Sequence, residues 1–194
     1  MKTYPFSALF SRMKYITRWS LMRSTRAESL SEHTADTAML AHTLCLIGKS
    51  CTGTGAALRP EVVATAALYH DAPEILTGDM PTPIKYDNPA IRNAYKDVEA
   101  VAEGKLLHML PPELQGVYGP ILTQSDPEVR QVVKAADKLS AYLKCVEELK
   151  AGNLEFKKAR EQTYAALCRN PIPALSYFME HFLDGFELTL DELN

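Results

Sequence analysis

An all-α fold, an irregular multi-helix bundle and not an up-down coiled coil, is what this sequence predicts, on three observations. Apolar residues recur three and four positions apart over most of the 194 residues, the spacing that gathers them on one helix face. Pro, Ser, Asn and Asp stand where such runs begin, as helix starts require. No run of convincing length alternates apolar with polar residues as a half-buried strand does, and no repeat or low-complexity block appears.

Taken in order, Phe6, Leu9, Phe10, Met13 and Ile16 form the stripe of a first amphipathic helix. The polar, basic stretch 17–30, with Arg18, Trp19, Arg23 and Arg26, reads as a long loop. Ser29-Leu30-Ser31-Glu32 has the form of a capping box and starts a second helix, which puts His33 in its first turn and runs through Met39 and Leu46 to Gly48. A Gly, Ser and Thr connector over 49–55 precedes Pro60, suited to the first position of a third helix through Val63, Ala67 and His70. Pro73 lacks an N–H, so that helix is expected to kink or restart just beyond His70-Asp71. The segment 77–83, rich in Gly and Pro, reads as a rigid loop. Asn88-Pro89 opens a long helix with Ile91, Tyr95, Val98, Ala102 and Leu106 inward, stopped by Pro111-Pro112, and Asp126-Pro127 opens another with Val129, Val133, Ala136, Ser140 and Leu143 on one face, ending near Gly152. Two more follow, over about 154–167 and 173–183, for six to eight helices in all.

Composition bounds the function. With 46% hydrophobic and 23% charged positions, the chain has the balance of a globular protein with a continuous core, and one domain over residues 1–194 is expected. The net charge of −3, from 21 Lys and Arg against 24 Asp and Glu, argues against a nucleic-acid polymer as partner, since such binding works by neutralising many phosphates. A small anionic substrate stays open. Cys45, Cys51, Cys145 and Cys168 form no C-x-x-C pair, so neither a thiolate zinc site nor a disulfide framework is expected. The N-terminal residues show no apolar signal-peptide stretch and no segment approaches a membrane span. A cytoplasmic protein with reduced thiols is the expectation.

Four ionisable residues fall where helical periodicity predicts an interior: His33, His70, Asp71 and Asp137. A carboxylate buried without a partner is strongly unfavourable, so Asp137 within Ala135-Ala136-Asp137-Lys138-Leu139 demands a counter-charge. A metal ion supplies one. Adjacent helical side chains diverge by about 100°, so His70 and Asp71 converge only on something above the ridge between them, as a cation about 2.0–2.2 Å from each ligand atom would be. Two imidazoles and two carboxylates from three helices suit a borderline divalent cation with open positions for water and substrate, a catalytic and not a structural site. The other histidines, His42, His108 and His181, read as core residues bonded to backbone carbonyls.

The order His33, His70-Asp71, Asp137 resembles the H…HD…D signature of the HD-domain phosphohydrolases, all-helical enzymes that hold a divalent metal with these four residues. Arg18-Trp19, Ser31-Glu32-His33, the segments 69–74, 76–79 and 81–86, and Ala141-Tyr142-Leu143-Lys144-Cys145 are similar, more closely, to the bacterial 5'-deoxynucleotidases of the YfbR type, over almost the whole chain. The likeness is weakest in the connector 49–59 and after Cys168, and Pro73 is the one departure near the site. The resemblance implies hydrolysis of deoxyribonucleoside 5'-monophosphates to deoxynucleoside and phosphate by a homodimer, with Co2+ or Mn2+ favoured. It implies His33, His70, Asp71 and Asp137 as ligands, His33, Asp71 and Asp137 also bordering the substrate, Arg18 orienting the phosphate, Trp19 near the sugar, Glu74 acting on the attacking water, and Asp79, Met80, Pro81 and Thr82 contacting the nucleotide.

These roles have a physical logic. Phosphomonoester hydrolysis needs charge stabilisation and an aligned water. Glu74, four residues after His70 and three after Asp71, projects from their side of a helix and can serve as general base or acid. Arg18 offers a planar fork of donors that suits phosphate. An indole packed against C2' leaves no room for a hydroxyl and selects deoxyribose by exclusion. Lys85 and Arg23 could add positive potential, but the sequence does not place them. Two other readings stay open: the same metal site acting on a cyclic dinucleotide, an alarmone or a deoxynucleoside triphosphate, and a catalytically silent helical dimerisation module.

Overall fold

A computed structural model describes residues 2–85 and 88–193, leaving aside the side chains at 82 and 83. Tyr86, part of the resembling motif, lies outside the described residues, and so does the side chain of Thr82. Among the described residues there is no strand; a single antiparallel bridge joins Thr17 and Ser29. Among the described residues ten α-helical segments succeed one another: α1 (Phe6–Phe10), α2 (Leu30–Ile47), α3 (Pro60–Leu68), α4 (Glu74–Thr77), α5 (Thr82–Lys85), α6 (Pro89–His108), α7 (Pro112–Leu122), α8 (Pro127–Lys150), α9 (Lys157–Cys168) and α10 (Pro173–His181).

The starts follow the expected chemistry. Ser29 caps α2 by accepting from the Glu32 amide while the Glu32 carboxylate accepts from the Ser29 amide at 2.9 Å, a complete capping box. Asn88 caps α6 through the Ile91 amide, and Asp126 caps α8 through the amides of Glu128 and Val129. Proline occupies the first turn of α3, α6, α7, α8 and α10, where its missing N–H costs nothing.

Several expectations are corrected. The first helix does not run from 6 to 16: it tightens into a 3-10 segment at Ser11–Tyr15, because Ile16 turns extended to accept a hydrogen bond from the Leu30 amide at 2.8 Å. α2 does not stop at Gly48 but continues through a π-helical turn, Gly48–Thr52. The segment 77–83 is not wholly a loop, since α5 begins at Thr82. Val98 is exposed, so the inward face of α6 is carried by Tyr95, Ala102 and Leu106. A helix not anticipated, α7, forms despite Pro120; the proline sits in its last turn, so only the carbonyl of Gly116 loses a donor. Finally, His42, His108 and His181 are exposed, not core; of the three, His108 makes the expected backbone contact, to the Gly104 carbonyl.

The main core lies where α2, α3 and α8 meet. Ala41, Ala67, Ala135 and Ala136 are fully buried there, with Leu44, Val63, Val133 and Leu139, and small residues at the crossings let the three axes approach closely. A second core under the α3–α4 turn joins Phe6, Ala72, Leu106, Leu110 and Leu122, with Phe10, Tyr69 and Tyr118 stacked edge to face around it. Ala72 is therefore fully buried in the second core, which anchors the turn that carries His70-Asp71.

Candidate metal centre and nucleotide site

The capping box places His33 in the first turn of α2, where it is fully buried. α3 ends at Leu68, and residues 69–73 follow as tight turns in which the Ala72 amide reaches the Tyr69 carbonyl and the Glu74 amide the Asp71 carbonyl. The restart beyond His70-Asp71 is the one expected from Pro73, but α3 stops at Leu68 and does not run through His70 as expected, so the pair itself lies in the turns. Glu74 opens α4, and Gly78, with φ +74°, ends it in a left-handed conformation that glycine adopts without penalty. Asp137 comes from the middle of α8.

Four side chains from these three places meet at one centre. His33 Nε2 lies 3.2 Å from Asp137 Oδ1 and 3.5 Å from Asp71 Oδ2, and His70 Nε2 lies 3.2 Å from Asp71 Oδ2 and 3.9 Å from Asp137 Oδ1. The donor atoms of His33, His70 and Asp71 all fall within 4.8 Å of one another. Neither buried Nε2 has a hydrogen-bond partner, an omission that is costly unless something else binds there. The opposite ring nitrogens are occupied. His70 Nδ1 donates to the Ala67 carbonyl at 2.7 Å, so that in the neutral ring the lone pair is the one on Nε2. His33 Nδ1 is 3.2 Å from the Ser140 hydroxyl.

Burial opposes charge at all these groups, yet the charges prevail. His70 is pushed up to about 9, because Asp71 and Asp137 outweigh its desolvation. Asp71 is held down at about 2 against its own burial, chiefly by His70, and Asp137 is lowered by His33 in the same way. The centre attracts positive charge through borderline nitrogen and hard oxygen donors, the chemistry a divalent cation satisfies.

Around this centre, Arg18 Nη1 donates to Asp71 Oδ2 at 3.2 Å. Burial alone would lower its pKa, but Asp71, Asp137, Asp79 and Glu28 raise it. Trp19 donates its Nε1–H to Glu28 Oε2 at 2.9 Å, and its ring tilts against Phe156 with centroids 5.3 Å apart. Glu74 is buried with Oε2 unpaired; burial, then Asp71 and Asp79, push it up to about 9 against Arg18 and Lys85. Its position comes from opening α4 after the turns at 69–73, not from sharing a kinked helix with His70 and Asp71 as expected. Asp79 is half-buried and raised by burial, and Met80 and Pro81 are half-buried beside it in the chain. Lys85 is tied to Glu99 at 2.9 Å over the Tyr95 ring, while Arg23 is exposed, its backbone bonded to Glu155 and Asn153.

Three contributors escaped the sequence reading. Glu28 holds Trp19 and lies 3.5 Å from Arg18 Nε; its proximity to both comes from the Thr17–Ser29 bridge, which has no sequence signature. Ser140, three residues after Asp137 and so on its face of α8, could have been linked to His33. The buried pair Lys144–Glu148, at 2.6 Å, ties down the strap 17–29: Glu148 accepts from the amide and hydroxyl of Thr25 and from Asn153, and Lys144 donates to the Arg26 carbonyl.

This architecture is that of the HD-domain phosphohydrolases. An HD-domain phosphohydrolase of Listeria innocua superposes with a TM-score of 0.81 at 19% identity, covering 93% of this chain and 87% of that one. A cyanophage S-2L HD phosphohydrolase, solved with dA and one catalytic Zn2+ ion, does so at 0.66 and 22%, covering 94% and 97%. The sequence places the chain more narrowly. The model of the YfbR-like 5'-deoxynucleotidases matches residues 5–186, and curated 5'-deoxynucleotidases of Vibrio parahaemolyticus and Vibrio cholerae are 49% and 47% identical over the full length of both chains. The chain belongs to the YfbR-like 5'-deoxynucleotidase family.

Proposed function

We propose that the protein hydrolyses deoxyribonucleoside 5'-monophosphates to deoxynucleoside and phosphate, with His33, His70, Asp71 and Asp137 holding one divalent ion. The observation that carries the reading is the pair of buried Nε2 atoms, each without a hydrogen-bond partner, facing the carboxylates of Asp71 and Asp137. An ion held by these four residues would supply positive charge to a phosphoryl oxygen and acidify a water.

The chain's own residues do the rest. Arg18, a guanidinium that faces four carboxylates, orients the phosphate with its forked donors and offsets the charge that develops on it. Glu74, whose carboxyl is pushed up by burial and by Asp71 and Asp79, serves as the acid or base that moves a proton at the departing 5'-oxygen or the attacking water. Trp19 forms the wall against C2', with Asp79, Met80, Pro81 and Thr82 along the nucleoside. Mn2+ or Co2+ is the ion proposed, and a cytoplasmic homodimer the working form.

Phosphate release from dAMP and AMP, measured with Co2+, Mn2+, Zn2+, Mg2+ or EDTA, tests the reading. Metal-dependent release that favours dAMP is expected; equal rates on both nucleotides, or full activity in EDTA, overturn it. Sedimentation of the purified protein tests the dimer.

A further inference from the structure

The strap 17–29 spends a buried carboxylate on one task. Glu28 is 7% exposed, and its Oε2 accepts the indole Nε1–H of Trp19 at 2.9 Å while standing 3.5 Å from Arg18 Nε. The backbone sets this up: the Arg18 amide donates to the Glu28 carbonyl at 2.9 Å, so the two residues face each other across the Thr17–Ser29 bridge. Trp19 itself has φ +58°, a left-handed conformation that a bulky residue adopts only when its surroundings impose it. Two anchors impose it. Glu28 holds the edge of the indole and the fully buried Phe156 supports its face.

We infer that Glu28 is a positioning residue for sugar selectivity: it fixes the indole of Trp19 as a rigid wall and ties that wall to the Arg18 guanidinium through the same carboxylate. The inference rests on the functional reading above, in which Trp19 faces the sugar. An indole that can swing makes room for a 2'-hydroxyl, so selectivity by exclusion lasts only while the edge of the ring is held. One oxygen accepts the hydrogen bond of the sugar reader and stands in an ion pair, 3.5 Å long and without a hydrogen bond, with the phosphate reader.

The chain has one tryptophan, so its fluorescence reports Trp19 alone. Wild type, Glu28→Ala and Glu28→Gln are compared as full-length, metal-loaded proteins by acrylamide quenching and by kcat/KM on dAMP and AMP. Glu28→Ala is expected to show red-shifted, more readily quenched emission and a dAMP-to-AMP ratio lowered roughly fivefold or more, the scale of one lost hydrogen bond. Glu28→Gln retains an acceptor for the indole and is expected to restore both readouts. In a Trp19→Ala background, Glu28→Ala is expected to change the ratio no further. Wild-type quenching or a wild-type ratio in Glu28→Ala overturns the inference. If that variant does not fold, Glu28→Asp, which withdraws the carboxylate by one methylene, is expected to loosen the indole and lower the ratio, and wild-type values there overturn the inference equally. A wild type that treats dAMP and AMP alike overturns the functional reading instead, and quenching alone then decides whether Glu28 holds Trp19.

Discussion

Asp137 shows why a single residue can decide the site. It stands on a helix whose neighbouring positions Ala135 and Ala136 are fully buried, and its charge is kept by His33 and His70 against desolvation. Asp137→Ala is expected to abolish metal retention, measured by elemental analysis after gel filtration, and to lower turnover by more than about 100-fold, beyond what loss of an outer-shell partner costs. Glu74→Ala separates chemistry from binding: kcat is expected to fall about 100-fold or more, while metal content and nucleotide KM stay near wild type. An unchanged kcat removes Glu74 from the proton transfer. The residues gathered at the centre were legible in the sequence because they are ionisable groups set inside apolar helical runs, a conflict visible without coordinates. Glu28 was not, since it breaks no local pattern and acquires meaning only from Trp19 and Arg18, and Ser140, a hydroxyl on an otherwise apolar face, gave only the hint of sharing that face with Asp137.

Among the elements, helix starts were the most legible feature, because a cap or a first-turn proline acts within three or four residues of sequence. What lay hidden was local structure chosen by distant contacts. The first helix ends early because Ile16 pairs with Leu30, and α7 survives the Gly116, Gly119 and Pro120 signals because its remaining turns pack Leu122 into the second core. The strap 17–29 likewise has no regular pattern and owes its order to Glu148. That carboxylate is buried, which by itself raises its pKa, but Lys144, Thr25 and Asn153 hold it down at about 2. A depressed folded-state value means the stabilisation is complete above the ordinary value of 4.5 and is lost as pH falls from there toward 2. Urea midpoints measured across that window are expected to fall more steeply for wild type than for Glu148→Gln; parallel curves refute the role. Lys144→Met, which leaves Glu148 buried without its counter-charge, is expected to cost about 3 kcal/mol at neutral pH and to raise nucleotide KM, because Arg18 and Trp19 ride on the strap it loosens.

For the whole molecule, a metal held at the proposed centre would be a crosslink as well as a reagent. The first turn of α2, the α3–α4 turn and the middle of α8 are held near one another by two apolar cores, but at the point of contact the protein brings together two carboxylates and two imidazoles whose Nε2 atoms lack hydrogen-bond partners. A cation bound by all three segments in the folded state, and by none of them together once unfolded, must therefore stabilise the chain by mass action. At an ion concentration about 100 times Kd the gain is about 2.7 kcal/mol, and for a chain of this size each kcal/mol moves Tm by about 2–4 °C. Thermal unfolding with saturating Mn2+ is thus expected some 5–10 °C above that in EDTA. The same comparison on Asp137→Ala separates this centre from weak surface binding: its Tm should respond little to the ion, whereas a variant that gains as much as wild type would place the stabilising ion elsewhere. Glu74→Ala, which alters no proposed ligand, should retain the full shift while losing turnover, so that folding and catalysis report the one ion through different side chains.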